Sequence, residues 1–256
     1  MIERTLNVAT PDGLIETFIT HPQQDSRFPA IILYMDVWGL REELFDIARR
    51  IATAGYYCMV PDFYYRFGKV HHEFREGNHR MISLELLDDA RREKVRAPMF
   101  KLSDDMVVAD TGALLDFIDR GEPVRAGGAV GCIGYCMGGR HVFRVAGSFP
   151  NRFKASASLH GTRLVTDAAD SPHLTALKAQ GEVYCGFAEK DPFAPLPGIK
   201  VIADTMQAAR AKFSYELHKG AHHGYALPDR DIHDKQAANR DWELMFAMWR
   251  RQLVPA

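Results

Sequence analysis

Strand-like and helix-like patterns alternate along almost the whole chain, and this alternation most restricts what it can fold into. Residues 29–35 and 57–61 are unbroken apolar runs, as strands buried on both faces require. Between them, residues 41–54 place Leu44, Ile47, Ala48 and Ile51 at helical spacing and stop at Gly55. The succession continues with a helix over 102–120, a strand over 129–134, a helix over 137–149, and strands over 154–159 and 182–188. A helix near 199–211, a strand over 213–218 and a helix over 234–252 close the chain. Residues 5–8 and 15–20 flank Pro11-Asp12-Gly13 and predict an opening β-hairpin. Strands joined through helices imply an α/β fold: a mostly parallel sheet covered on both faces, with the hairpin adding antiparallel pairing at one edge. No repeat or low-complexity segment divides residues 1–256, which read as one domain. The least regular stretch, 64–97, is rich in Arg, His and Glu, with a short helix expected near 81–90. Insertions of this kind often cover active sites.

Composition removes several function classes. The 32 basic and 33 acidic residues nearly cancel, giving a net charge of −1. No basic excess therefore points to nucleic acid or an anionic membrane. No apolar run reaches the roughly 20 residues of a membrane helix, and the first residues lack the apolar core of a signal peptide. A cytoplasmic protein, monomeric or a small homo-oligomer, is expected. Cys58, Cys132 and Cys185 lie in apolar strand-like runs and read as buried free thiols. No Cys/His cluster has zinc spacing, and His71-His72-Glu73 has no further ligand at useful spacing, so no metal or other cofactor is expected.

The fourth cysteine stands apart. Gly134-Tyr135-Cys136-Met137-Gly138 follows a predicted strand and opens a predicted helix. This is the glycine-flanked nucleophile elbow, with Cys in place of Ser. Such a turn lifts the sulfur above the carboxyl edge of the sheet and aims the N–H of Met137 at the reacting centre, where it can hold an oxyanion. The helix N-terminus also favours thiolate over thiol. An elbow of this kind needs an acid and then a histidine, each after a later strand. Asp191 follows the strand at 182–188, with Pro192 enforcing a turn, and His223 follows the strand at 213–218 in a glycine-flanked loop. His222 competes with His223 for the base role, but a residue immediately before Gly224 suits the loop better. Nucleophile, acid and histidine in this order are the order of α/β-hydrolases.

From end to end the sequence resembles the dienelactone hydrolase family. The resemblance is carried by Pro29-Ala30 running into Met35-Asp36-Val37-Trp38-Gly39, by Pro61-Asp62-Phe63-Tyr64-Tyr65-Arg66, by the Cys elbow, and by Asp191 with His223-Gly224-Tyr225. It implies one α/β-hydrolase domain without a cofactor, acting on a small ester or lactone through Cys136, His223 and Asp191. It also implies a second oxyanion donor at the backbone N–H of Val37. The family glutamate that contacts the resting cysteine is replaced here by Asp36, one methylene shorter. The arginine that binds a substrate carboxylate falls on Arg66. A second arginine, usual a few residues after the histidine, is absent: Ala226-Leu227-Pro228 stand there, and Arg230 follows. Trp38, Tyr64 and Tyr65 are expected either to line an apolar or aromatic pocket or to serve as plain packing, and His160, ending a strand at the ligand-binding edge, either to face the site or to donate to a nearby backbone carbonyl.

Three other readings compete with a hydrolase: a non-catalytic binder of a small ligand on the same fold, an acyltransferase, and a thiol redox protein. A binder has no need to keep Cys, Asp and His together. A peroxide sensor needs a resolving thiol, and Cys132 lies within what should be buried strand. An acyltransferase shares the same acyl-enzyme.

Overall fold

The apolar runs do form a central sheet, and the amphipathic segments pack onto it. The computed structural model describes residues 1–253, apart from 76 and 78, two positions of the irregular 64–97 stretch. Eight strands take the order β1-β2-β4-β3-β5-β6-β7-β8. They are β1 (Ile2–Thr10), β2 (Gly13–His21), β3 (Ala30–Tyr34), β4 (Tyr57–Pro61), β5 (Val130–Tyr135), β6 (Phe153–Leu159), β7 (Glu182–Lys190) and β8 (Phe213–His222). The hairpin β1–β2 lies at one edge, and β2 meets β4 antiparallel. From β4 to β8 every pairing is parallel. β3, β4 and β5 are buried at every position, which explains their unbroken apolar runs.

Helices α1 (Glu42–Thr53), α4 (Met137–Ser148) and α7 (Lys235–Leu253) sit where helical spacing predicts them. α4 and α7 both pack on β5 and β6. The guanidinium of Arg50 on α1 stacks 4.3 Å from the Trp242 ring on α7. Helix α6 (Leu196–Ala208) begins three residues earlier than its pattern suggested, and a short α5 (Pro172–Ala176) was not anticipated.

The largest departure lies between residues 84 and 120. The helix expected over 102–120 is α3 (Asp104–Asp119), and a separate helix, α2 (Asp89–Lys101), precedes it. Ser103 divides the two. It is extended, and its hydroxyl accepts the N–H of Met106 at 3.2 Å, the bond of a helix N-cap, with Asp104 and Asp105 in the first turn. The helix expected near 81–90 is instead a single 3-10 turn at Leu84–Leu86 followed by the start of α2. α2 buries only Val95 and contains Pro98, so it lacks the apolar stripe by which helices are recognised in a sequence. Among the described residues, no helix is long and apolar enough to cross a membrane.

Candidate active site

The elbow between β5 and α4 puts Cys136 at φ 55°, ψ −115°, a left-handed conformation that non-glycine residues rarely adopt. Its tightness depends on the flanking glycines. A Cβ on Gly134 would strike the carbonyl of Gly138, and one on Gly138 would strike the carbonyls of Tyr34 and Met35. The second contact also shows how close α4 comes to the end of β3, whose following loop carries Asp36, Val37 and Trp38. Met137 is the first residue of α4, so its N–H belongs to the helix-end donors without an intrahelical acceptor. Cys136 is partly exposed, whereas Cys58, Cys132 and Cys185 are buried, and all four are free.

His223 follows β8, which runs on to His222 rather than ending at 218. The imidazole Nδ1 lies 2.8 Å from Oδ2 of Asp191. Asp191 directly follows β7, is 5% exposed, and accepts the N–H of Phe193 at Oδ1 (2.8 Å). The Phe193 ring stands edge-on to His223 at 4.8 Å between centroids. Neighbouring His222 is exposed, and the bond to Asp191 is made by His223. Burial alone would push the His223 imidazole down. The neighbouring Cys136 sulfur and the bonded Asp191 carboxylate outweigh burial and raise it to about 10. Sulfur, imidazole and carboxylate thus meet above the carboxyl ends of β5, β7 and β8, where parallel sheets present ligands.

Above them lies a cavity of about 300 Å³. Trp38, Leu84, Met99, Phe100, Phe193 and Leu227 give it apolar walls. Cys136, His160, His223 and Arg230 supply polar groups, and Arg96 from α2 and Arg163 also line it. The stretch predicted as irregular therefore does border the cavity, through Leu84, Glu85 and α2.

Several expected site residues lie elsewhere. Arg66 does not line the cavity. Its guanidinium binds Asp110 through Nη1 and Nη2 (2.7 and 2.8 Å) and Asp12 through Nε and Nη2 (2.8 and 2.7 Å). Tyr65 is drawn to the same place, with its hydroxyl 2.6 Å from that of Thr10 and donating to Asp110 at 3.0 Å. Tyr64 is fully buried rather than a wall of the cavity. Its hydroxyl donates to the Val37 carbonyl (3.3 Å) and lies 3.4 Å from the Met137 sulfur, beneath both expected oxyanion donors. Asp36 does border the cavity, but its carboxylate is taken. Arg41 grips both oxygens at 2.8 and 2.9 Å, and the N–H of Trp38 donates to Oδ1 at 3.0 Å. The shorter side chain is thus committed to a guanidinium rather than to the thiol.

Arg41 escaped the sequence reading. It occupies the N-cap of α1, an unfavourable place for a cation, and that position is the signal that a specific acidic partner awaits it. Its second partner is Asp229, 2.6 Å from Nε. The adjacent Arg230 is 5% exposed and stacks 4.7 Å from the Trp38 ring. Its Nη2 donates to the Ile82 carbonyl at 3.3 Å, and its buried Nε has no hydrogen-bond partner among the described residues. No group of three or more His, Cys, Asp or Glu among the described residues could hold a metal.

The sequence model of the dienelactone hydrolase family matches residues 15–253. This chain belongs to the dienelactone hydrolase family. Membership makes it an ester- or lactone-cleaving hydrolase. A Synechocystis sp. protein provisionally named a carboxymethylenebutenolidase is 26% identical over 248 residues, covering 93% of this chain and 92% of its own. A Bradyrhizobium sp. protein provisionally named a 2-oxo-3-(5-oxofuran-2-ylidene)propanoate lactonase is 21% identical, covering 91% and 88%. The crystal structure of a Klebsiella pneumoniae protein provisionally named a dienelactone hydrolase superposes with a TM-score of 0.84 at 21% identity, covering 98% of each chain. That likeness establishes the shared fold.

Proposed function

We propose that this dienelactone hydrolase family member cleaves a small ester or lactone through a Cys136–His223–Asp191 triad and a thioester intermediate. One observation carries the reading: a single imidazole bonded through Nδ1 to a buried carboxylate also faces the only partly exposed cysteine among the four, at the floor of a mostly apolar cavity.

The steps follow from that geometry. The Cys136 thiolate attacks the carbonyl carbon, and the carbonyl oxygen takes the negative charge. The N–H groups of Met137 and Val37 hold that oxygen. Collapse breaks the ester C–O bond, and protonated His223 gives its proton to the leaving alkoxide. The imidazole, now neutral, removes a proton from water, which attacks the thioester. Collapse then releases the acid and restores the thiolate–imidazolium pair. Asp191 holds the imidazole in orientation throughout.

Arg230 is the carboxylate anchor that best fits the cavity. It is buried, it borders the cavity beside Trp38, and part of its hydrogen-bonding capacity is unspent. A substrate bearing a carboxylate beside its ester or lactone group would supply the missing partner.

The test uses p-nitrophenyl acetate and a small unsaturated lactone. Turnover should vanish on alkylation of the accessible thiol and fall about a thousandfold or more in Cys136→Ala. Turnover that survives Cys136→Ala removes the nucleophile. A folded wild-type protein that turns over no ester or lactone favours the ligand binder.

A further inference from the structure

The cavity floor holds a second imidazole that the triad leaves unused. His160 follows β6 at φ 38°, a strained backbone for a non-glycine residue, and is fully buried while bordering the cavity. Its ring is boxed in, edge-on to His223 and Tyr225 at 5.0 and 5.5 Å and tilted against Tyr135 at 5.8 Å.

The Cys136 N–H is shared between the Leu159 carbonyl at 3.1 Å and Nδ1 of His160 at 3.2 Å. A backbone N–H can only donate, so Nδ1 is the bare nitrogen of the ring and the proton sits on Nε2. That Nε2 is buried and has no hydrogen-bond partner among the described residues. A buried donor without an acceptor is costly, and native proteins rarely keep one without a use for it.

We propose that the Nε2–H of His160 donates to an oxygen of the bound ester or lactone, making His160 a second substrate-contacting residue beside the nucleophile. The inference rests on the Cys136–His223 reading above. Burial, reinforced by His223 and Arg230, keeps this imidazole uncharged. A neutral donor is what the place demands, because a second cation 5.0 Å from protonated His223 would oppose the ion pair that attacks. It also suits an uncharged ester oxygen, leaving any carboxylate to Arg230.

Two measurements test it. In His160→Phe, which keeps the aromatic box and removes the donor, kcat/KM for p-nitrophenyl acetate should fall about 10- to 100-fold. The rate of Cys136 alkylation by iodoacetamide should stay within about threefold, and His160→Gln, whose amide can donate, should recover part of the loss. If kcat/KM stays within about threefold, or alkylation falls in parallel with turnover, His160 only shapes the elbow and the proposal fails. The second measurement is independent of turnover and decides the matter if His160→Phe does not fold. In Cys136→Ala protein, nitrogen NMR of His160 should show the neutral Nε2–H tautomer, with its signal shifting when the lactone is added. A ring protonated at Nδ1, or a signal indifferent to the lactone, overturns it. Turnover surviving in Cys136→Ala would sink the triad instead, while the His160 resonance still reports its own tautomer.

Discussion

At the scale of single residues, the site depends on charge held where water is scarce. His223 shows this most clearly, because Cys136 and Asp191 reverse the effect of burial on its imidazole. The consequence for stability has a definite sign. The folded-state value, about 10, lies above the ordinary histidine value near 6.5. The stabilisation is therefore fully present below about pH 6.5 and is lost as pH climbs toward 10. Cys136→Ala removes the contribution of the sulfur and leaves Asp191 alone to oppose burial, so this part of the alkaline decline should shrink. Thermal melts from pH 6.5 to 10 should show a smaller drop in Tm for the variant than for wild type, since other alkaline titrations are common to both. Equal drops would mean that the imidazole is not held up by the sulfur. The residues of this cluster were legible in the sequence because each is announced locally: glycines around Cys136, a strand end before Asp191, glycine after His223. Capture of Asp36 by Arg41 was not, because the grip also depends on Asp229, which lies 188 residues from Arg41.

At the scale of elements, the loop carrying His223 is tied down from beneath. Asp241 on α7 is fully buried and accepts hydrogen bonds from Tyr184 on β7 (2.6 Å) and Tyr225 (2.6 Å), with His218 Nε2 on β8 at 2.7 Å. Tyr225 stands two residues beyond His223, so the last helix holds the histidine loop against two strands. Tyr225→Phe would leave Asp241 with one donor fewer in a buried site, at a cost of about 1–3 kcal/mol. Urea unfolding should report that loss, with kcat reduced only severalfold because the bond between His223 and Asp191 remains. A variant as stable as wild type would show that the loop is held by packing alone. Element recognition in the sequence succeeded wherever an apolar stripe or run met a stop signal, as in α1 before Gly55. It failed for α2, whose single buried residue leaves no stripe to read, and for the break at Ser103, where the apolar pattern of α3 was extended through an N-cap.

At the scale of the whole molecule, the question is which guanidinium faces the substrate, and only folding answers it. Arg66 and Arg230 are both nearly buried and both pair with neighbours, yet their surroundings differ in charge. Arg66 is enclosed by Asp12 and Asp110, binds each at two nitrogens, and lies outside the cavity. Arg230 has a carbonyl and an aromatic face as its immediate contacts, and it borders the cavity. Burial, followed by the balance of Asp36 and Asp229 against Arg41, leaves its guanidinium lowered from the ordinary arginine value. A bound carboxylate would compensate that desolvation, whereas Arg66 has already spent its charge. Replacing Arg230 with Met should therefore raise KM about tenfold or more for a carboxylate-bearing ester and much less for p-nitrophenyl acetate. Arg66→Ala should leave the ratio of the two KM values unchanged and instead lower the denaturation midpoint, because it strands Asp110 without its counter-ion in a fully buried position. Parallel Michaelis–Menten series on both variants, with urea melts alongside, separate the two roles. If Arg66→Ala alone disturbs the anionic substrate, recognition runs through a part of the molecule that the cavity does not reach.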